Sequence, residues 1–215
     1  MNAFLLLLTL KCNMQEDLTK YGTAERIEKI KKMLDKRQSD FTVVLENVHD
    51  EHNVSAVLRS CDAVGVLEVC LVYYGGQNFP KLNEKTSASG RKWVRQRHFT
   101  SVDDCFSYLR NEGKSIYTTG MSVDAVSLYE LNLTQSIAFV FGNEHTGVSA
   151  EAIAKADANF LIPQVGMIQS LNISVACAVS LYEAFRQRDK AGMYSAPRIS
   201  SIDQEPMIKS WLTEY

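Results

Sequence analysis

The sequence predicts an α/β fold, a mostly parallel sheet with helices on both faces. Three observations lead there. Strand-like and helix-like segments alternate along the chain, as in repeated β-α units. Most strand-like segments are continuous apolar runs, the pattern of strands covered on both faces. Three polar segments, Glu46 to Asn53, Gly142 to Ser149 and Pro163 to Asn172, fall at strand ends, where such sheets bind their ligands.

The elements follow in order. Thr23 to Arg37 reads as a helix, with Ile27, Ile30 and Leu34 in a narrow apolar stripe. Phe41 to Glu46 is an apolar strand. Asn53 to Val64 is a helix with Asn53 as its N-cap and Val54, Val57, Leu58 and Cys61 on one face. Leu67 to Tyr74 is a strand ending at Gly75-Gly76. Arg95 to Phe99 is a further strand, and Ser101 starts a helix with Asp104 as a weaker capping-box partner. Lys114 to Thr119 and Ser136 to Phe141 are strands, and Ser149 caps a short helix. Asn159 to Ile162 is a strand stopped by Pro163. Asn172 to Arg188 is a helix that is apolar nearly all round, capped by Ser170 or Asn172, and such helices are buried in a core or between subunits. After Gly192 one more turn is expected near Glu205 to Leu212.

The chain has 215 residues, with 46% hydrophobic and 22% charged, ordinary values for one globular domain with short extensions. The expected division is an N-terminal extension over 1–22, the main domain over 23–190 and a tail over 191–215. The 23 basic residues against 25 acids give a formal net charge of −2. That excludes a globally basic nucleic-acid coat, but not a local basic surface. Five single cysteines without a CxxC pair argue against structural zinc and a disulfide framework, and for a reduced, cytoplasmic compartment. The apolar run Ala3 to Leu10 is far shorter than the ~20 residues of a membrane span. No positive charge precedes it and no small-x-small cleavage site follows. It is read as a packed N-terminal segment or an extension upstream of a start at Met14, with a membrane anchor as the alternative.

Several chemistries find no support in the sequence. GxGxxG and the P-loop are absent, as is a GxSxG elbow. His49 and His52 lie three apart with Glu46 and Asp50 beside them. That spacing could bind a metal for hydrolysis, but at a strand-to-helix turn these are more simply polar turn residues, and no metal is expected.

Three longer segments remain. In Glu46 to Val66, Arg59 lies on the predicted helix face opposite the apolar stripe, with Ser55 and Asp62. On periodicity alone an Arg59–Asp62 surface ion pair is the simpler reading. In Phe139 to Ser149, FVFGNEHTGVS, a buried strand runs into a polar elbow. Gly142 and Gly147 permit close backbone approach there, and Glu144 could simply serve the following helix start. In Ile162 to Arg188 a glycine-containing loop leads into the long apolar helix.

Together, and in this order, the three segments resemble the motifs of the SpoU (TrmH) family of RNA 2′-O-ribose methyltransferases. The N-x5-R element is Asn53 and Arg59. The glycine-x-glutamate element is Gly142 and Glu144. The S-L-N element is Ser170, Leu171 and Asn172, preceded by Ile162-Pro163. The resemblance covers about Thr23 to Arg188, and LENVHDEHNVSAVLRSCDAVGV most resembles the branch that methylates guanosine 18 of the tRNA D-loop.

The resemblance implies a C-terminal trefoil knot, an exception to the rule against threaded chains. It also implies S-adenosylmethionine as cofactor and a homodimer with the site built across its interface. It assigns Thr119, Gly142, Ile162, Met167 and Leu171 to the cofactor pocket. Arg59 would be the catalytic residue, with Asn53, Glu144, Ser170 and Asn172 completing the site. Arginine holds its proton at neutral pH. That makes it a poor base, so the base role that the resemblance implies for Arg59 needs help from substrate contacts, and the alternative is a cation facing the developing alkoxide.

Basic residues cluster at Lys20 to Arg37, Lys81 to Arg97 and Arg186 to Lys190. Around a ribose site they would form a phosphate-binding surface. Arg26 belongs to the first cluster, and Arg37, Arg186 and Arg188 match basic positions of the family pattern. The expected function is tRNA guanosine 2′-O-methylation. The alternatives are the same chemistry on rRNA or another tRNA position, and a non-catalytic RNA-binding protein on the same fold.

Overall fold

The structure is a computed structural model, describing residues 17–77, 79, 90–120, 124–168 and 170–214. The Ala3 to Leu10 run, Cys12 and part of the Lys81 to Arg97 cluster lie outside the described residues. The chain forms two compact units, one from its two ends (up to Leu34, and from Ser200) and one spanning Asp35–Ile199.

The terminal unit pairs helix α1 (Ala24–Leu34) with a helix over Ser201–Thr213. The apolar stripe of α1, Ile27, Ile30 and Leu34, is buried as its spacing predicts. The second helix buries Gln204, Ile208 and Leu212. It is three turns long instead of the single turn expected. Its start is fixed by Ser200, whose side chain accepts from the Asp203 amide. Pro206 within it lacks the amide that would bond one turn back.

In the larger unit, strands β1 (Gln38–Glu46), β2 (Val66–Val72), β3 (Arg95–Phe99), β4 (Ser115–Thr119), β5 (Val126–Ser127), β6 (Ile137–Phe141) and β7 (Ala158–Leu161) form one sheet. Its order is β3-β2-β1-β6-β4-β7-β5, and every pairing is parallel. The helices between strands are α2 (Glu51–Ala63), the short α3 (Gly90–Trp93), α4 (Val102–Asn111) and α5 (Ala150–Lys155); α6 (Ile173–Lys190) follows β7.

Side-chain alternation divides the sheet into two cores. Phe41, Val43 and Leu45 of β1 pack with Phe139 and Phe141 against Val54, Val57 and Leu58 of α2 and Cys177 and Leu181 of α6. Val44, Cys70, Val72 and Val140 face the other way, against Cys105, Phe106 and Leu109 of α4 and Ala152 of α5. Continuous apolar strands are thus covered on both sides. The four cysteines among the described residues are buried free thiols.

The caps at Ser101, Ser149 and Asn172 form as the sequence predicts. The cap at Asn53 does not. Helix α2 begins two residues earlier and is capped by Asp50, whose carboxylate accepts from the His52 amide at 2.8 Å. Asn53 therefore lies inside the first turns of the helix with its side chain available for other partners. Within one chain helix α6 is buried along one flank only, and Val175 and Tyr182 on the other are 47% and 54% exposed.

Candidate active site

The sheet order places the ends of β1, β6, β4 and β7 side by side. The loops after these strands carry the polar segments singled out from the sequence, at the carboxyl edge where parallel sheets bind ligands. Asn53 sits at their meeting point. Its Nδ2 donates to Glu144 Oε1 at 2.9 Å, and its Oδ1 accepts from Asn172 Nδ2 at 3.1 Å. Asn172 also caps α6, its Oδ1 accepting from the Ser174 amide at 2.8 Å. One amide side chain thereby joins the helix after β1, the loop after β6 and the start of the last helix of the sheet domain. Asparagine suits this position because it donates and accepts at once.

The loop after β6 is held in a tight shape. Asn143 and Gly147 exchange backbone hydrogen bonds at 3.0 and 2.8 Å, and the Asn143 carboxamide accepts from the His145 amide at 2.7 Å. Gly147 has φ +70°, a conformation that favours glycine. A Cβ at Gly142 would lie 2.1 Å from the Gly147 carbonyl carbon, so the backbone crossing here excludes any side chain. Glu144 at the tip of this loop is exposed apart from its bond to Asn53.

The same loop is tethered to the exit of β1. Glu46 is 2% exposed, and its carboxylate accepts from Tyr74 Oη at 2.6 Å and from the Ser149 amide at 2.9 Å. Asn47 has φ 50°, a left-handed conformation that asparagine tolerates better than most residues. It is held there by the Asn143 Nδ2 donating to its carbonyl at 2.8 Å and by its own Oδ1 accepting from the Tyr74 amide at 3.2 Å. Tyr73 donates to the Val48 carbonyl, and burial pushes its hydroxyl well above the usual tyrosine range. Sequence reasoning missed Glu46, Asn47 and Asn143 as a group. An acid ending an apolar strand was the one signal available.

Of the five residues assigned to the catalytic site, the structure brings Asn53, Glu144 and Asn172 together. Ser170 is exposed two residues before Asn172. Arg59 is also exposed, and its backbone packs against Gly90 of α3, where a Cβ would lie 3.0 Å from the Arg59 amide nitrogen. Asp62 does not pair with Arg59; it binds Arg37 instead. Ser55 is buried at 2% exposure, not on a solvent face.

Of the cofactor-pocket residues, Thr119 ends β4 and donates to the Val140 carbonyl at 3.2 Å. Gly142 is buried, Ile162 and Leu171 are half-buried, and Met167 is fully exposed.

The basic residues separate into two kinds. Arg26 is exposed in the terminal unit. Arg186 is exposed, and its guanidinium donates twice to Glu183 at 2.8 Å. Arg37 and Arg188 correct the expectation of surface cations, being 1% and 0% exposed. Arg37 binds the Asp62 carboxylate and the Val66 carbonyl. Arg188 donates to the carbonyls of Leu133 and Gln135, to Gln38 Oε1 and to Asp40 Oδ1, with its guanidinium over the Phe41 ring. Both spend their donors inside the fold, because a buried guanidinium must be hydrogen-bonded and paired. His49 packs edge-on to Tyr73. Among the described residues no group of three or more His, Cys, Asp or Glu side chains could hold a metal ion, and no helix is long and apolar enough to cross a membrane.

A parallel α/β domain whose polar site gathers three separated loops beyond the strand ends defines the class. The SpoU rRNA Methylase family profile matches residues 40–182, and the chain belongs to that family. The tRNA (guanosine(18)-2'-O)-methyltransferase of Thermus thermophilus is 46% identical over 190 residues, 88% of this chain and 97% of that protein. The protein of the same description from Escherichia coli K12 is 43% identical over 169 residues, 79% of this chain and 73% of that one. Among solved structures, the A. aeolicus TrmH/SpoU tRNA modifying enzyme is 38% identical with a TM-score of 0.84, over 88% of this chain and 96% of that chain.

Proposed function

We propose that the chain is a tRNA guanosine 2′-O-methyltransferase that uses S-adenosylmethionine to methylate guanosine 18 of the D-loop. The observation that carries this reading is the convergence of Asn53, Glu144 and Asn172, one residue from each of three distant segments, on a single hydrogen-bonded hub. The relatives named above point to the same substrate.

The residues at the strand ends fit the cofactor. Val165, Met167 and Ile168, in the loop between β7 and α6, are all large apolar side chains in the open, the lining that an adenosyl group needs beside a few polar contacts. Thr119, Gly142, Ile162, Met167 and Leu171 would hold it, the knot would bend it, and it would supply an activated methyl group. The chain's task is then to seat the ribose and raise the nucleophilicity of its 2′ oxygen. As the oxygen–methyl bond forms the 2′-hydroxyl proton leaves: Arg59 takes it up where substrate contacts have first displaced its own proton, or keeps its charge and faces the oxygen's growing negative charge. Ser170 relays the proton, and the Asn53 hub keeps the surrounding loops in register.

Arg59 lies six residues beyond Asn53, about 9 Å along the helix and on a different side of it. The exposed apolar flank of α6, with Val175 and Tyr182, supports a homodimer in which one copy's Arg59 meets the other's hub. Arg26 and Arg186 contribute to phosphate binding, and the compartment is cytoplasmic.

The test uses purified protein, methyl-labelled cofactor and unmodified total tRNA or rRNA. Label in tRNA, abolished by Arg59→Ala while cofactor binding by calorimetry persists, is the expected result. Label in rRNA alone, or near-normal turnover by Arg59→Ala, overturns the reading.

A further inference from the structure

We propose that Glu46 is a positioning residue for this site, acting through the 142–149 loop on Glu144. The inference rests on the reading of Glu144 as part of the methyl-transfer site. Glu46 closes strand β1, at 2% exposure. No basic side chain among the described residues forms an ion pair with it. A carboxylate buried without a cation is costly unless its oxygens are hydrogen-bonded, and an apolar residue would fill the position at less cost. What the carboxylate supplies is two acceptors pointing at two donors. Oε1 takes the Tyr74 hydroxyl at 2.6 Å, and Oε2 takes the Ser149 backbone amide at 2.9 Å.

The Ser149 bond matters for what precedes it in the chain. The loop carrying Glu144 leaves the sheet at Phe141 and is anchored at its far end by Ser149 on Glu46. Near its start Asn143 bonds to the carbonyl of Asn47, the residue next to Glu46. Both anchors therefore lie on consecutive residues of one strand end. Between them the Asn143–Gly147 exchange closes the loop, leaving Glu144 at the tip to meet Asn53. Releasing the Glu46 anchor frees one end of the loop, and the Glu144 carboxylate loses its fixed place against Asn53. Glutamine at 46 has the shape but only one acceptor oxygen, so one of the two donors is left without its partner.

The experiment is a double-mutant cycle with Glu46→Gln and Glu144→Ala in the full-length protein, read by kcat and KM on unmodified tRNA. Hydrogen exchange of the 142–149 segment is measured alongside. Glu46→Gln is expected to lower kcat about 10- to 100-fold, as small misplacements of reacting groups do, with faster exchange in 142–149. In the Glu144→Ala background it should cause no further loss, because its effect passes through Glu144. Ser149→Pro gives a second route. It removes the amide and leaves Glu46 intact, φ −63° at Ser149 suits the proline ring, and Ser149→Ala, which loses only the hydroxyl that caps α5, is the reference against which its loss is read. Ser149→Pro should show the same loss and the same masking. Multiplying losses in the double variant, or unchanged exchange in Glu46→Gln, overturns the proposal, as does wild-type turnover by Ser149→Pro. If the wild-type protein transfers no methyl group, the functional reading fails, while the exchange measurement still decides whether Glu46 anchors the loop.

Discussion

Asn53 Nδ2 lies 2.9 Å from Glu144 Oε1, across 91 residues of sequence. The contact exists because Asp50, not Asn53, caps the helix. Asn53→Asp would set a carboxylate against Glu144 and remove the donor. Turnover is expected to fall about 10- to 100-fold with the far-ultraviolet dichroism unchanged, measured as initial rates on unmodified tRNA. Wild-type turnover would show that the hub is dispensable.

Arg188 and Arg186 are two residues apart and physically unlike. Arg188→Met takes one of two arginines from Asp40, which Arg198 still pairs, and leaves the buried Leu133 carbonyl and Gln38 Oε1 without this donor, a loss on the order of 1–3 kcal/mol for an unsatisfied buried group. Arg186→Met removes an exposed cation and is expected to cost under about 1 kcal/mol. Denaturant melts of both variants check the contrast, and equal midpoints would contradict it.

If tRNA phosphates meet the exposed cations, binding weakens steeply with salt. Arg26→Ala and Arg186→Ala should each reduce the slope of log affinity against log salt by about 1. Fluorescence anisotropy at several salt concentrations measures it. An unchanged slope removes that residue from the RNA surface.

Glu183 titrates below its ordinary value, because Arg186 and then Gln187 hydrogen-bond its carboxylate. A depressed carboxylate stabilises the fold above its unfolded value of 4.5. That stability is lost as pH falls through the folded value. Glu183→Gln should therefore melt lower than the parent near neutral pH, with the gap closing in acid. Melting temperatures from about pH 7 down to about pH 3 test this, and a constant gap would contradict it.

Much of this architecture is legible in the residues themselves. Continuous apolar strands, and caps at Ser101, Ser149 and Asn172, are local features that tertiary packing left alone. What escaped depended on partners far along the chain. Asn53 and Asp50 are equally good caps on sequence grounds, and only contact with Glu144 and Asn172 decides between their roles. Arg37 and Arg188 sit in basic clusters that look solvated. Their partners, Asp62 and Asp40, become visible only when the strands are ordered. The anchoring of the Glu144 loop to Glu46 and Asn47 is another pairing of this kind, 103 and 96 residues apart.

The most direct test of the central claim is to map the methylated nucleotide after incubating the protein with S-adenosylmethionine and an unmodified tRNA transcript. The account predicts 2′-O-methylguanosine at position 18 of the D-loop and at no other position. Methylation elsewhere, or on a base instead of a ribose, would contradict it.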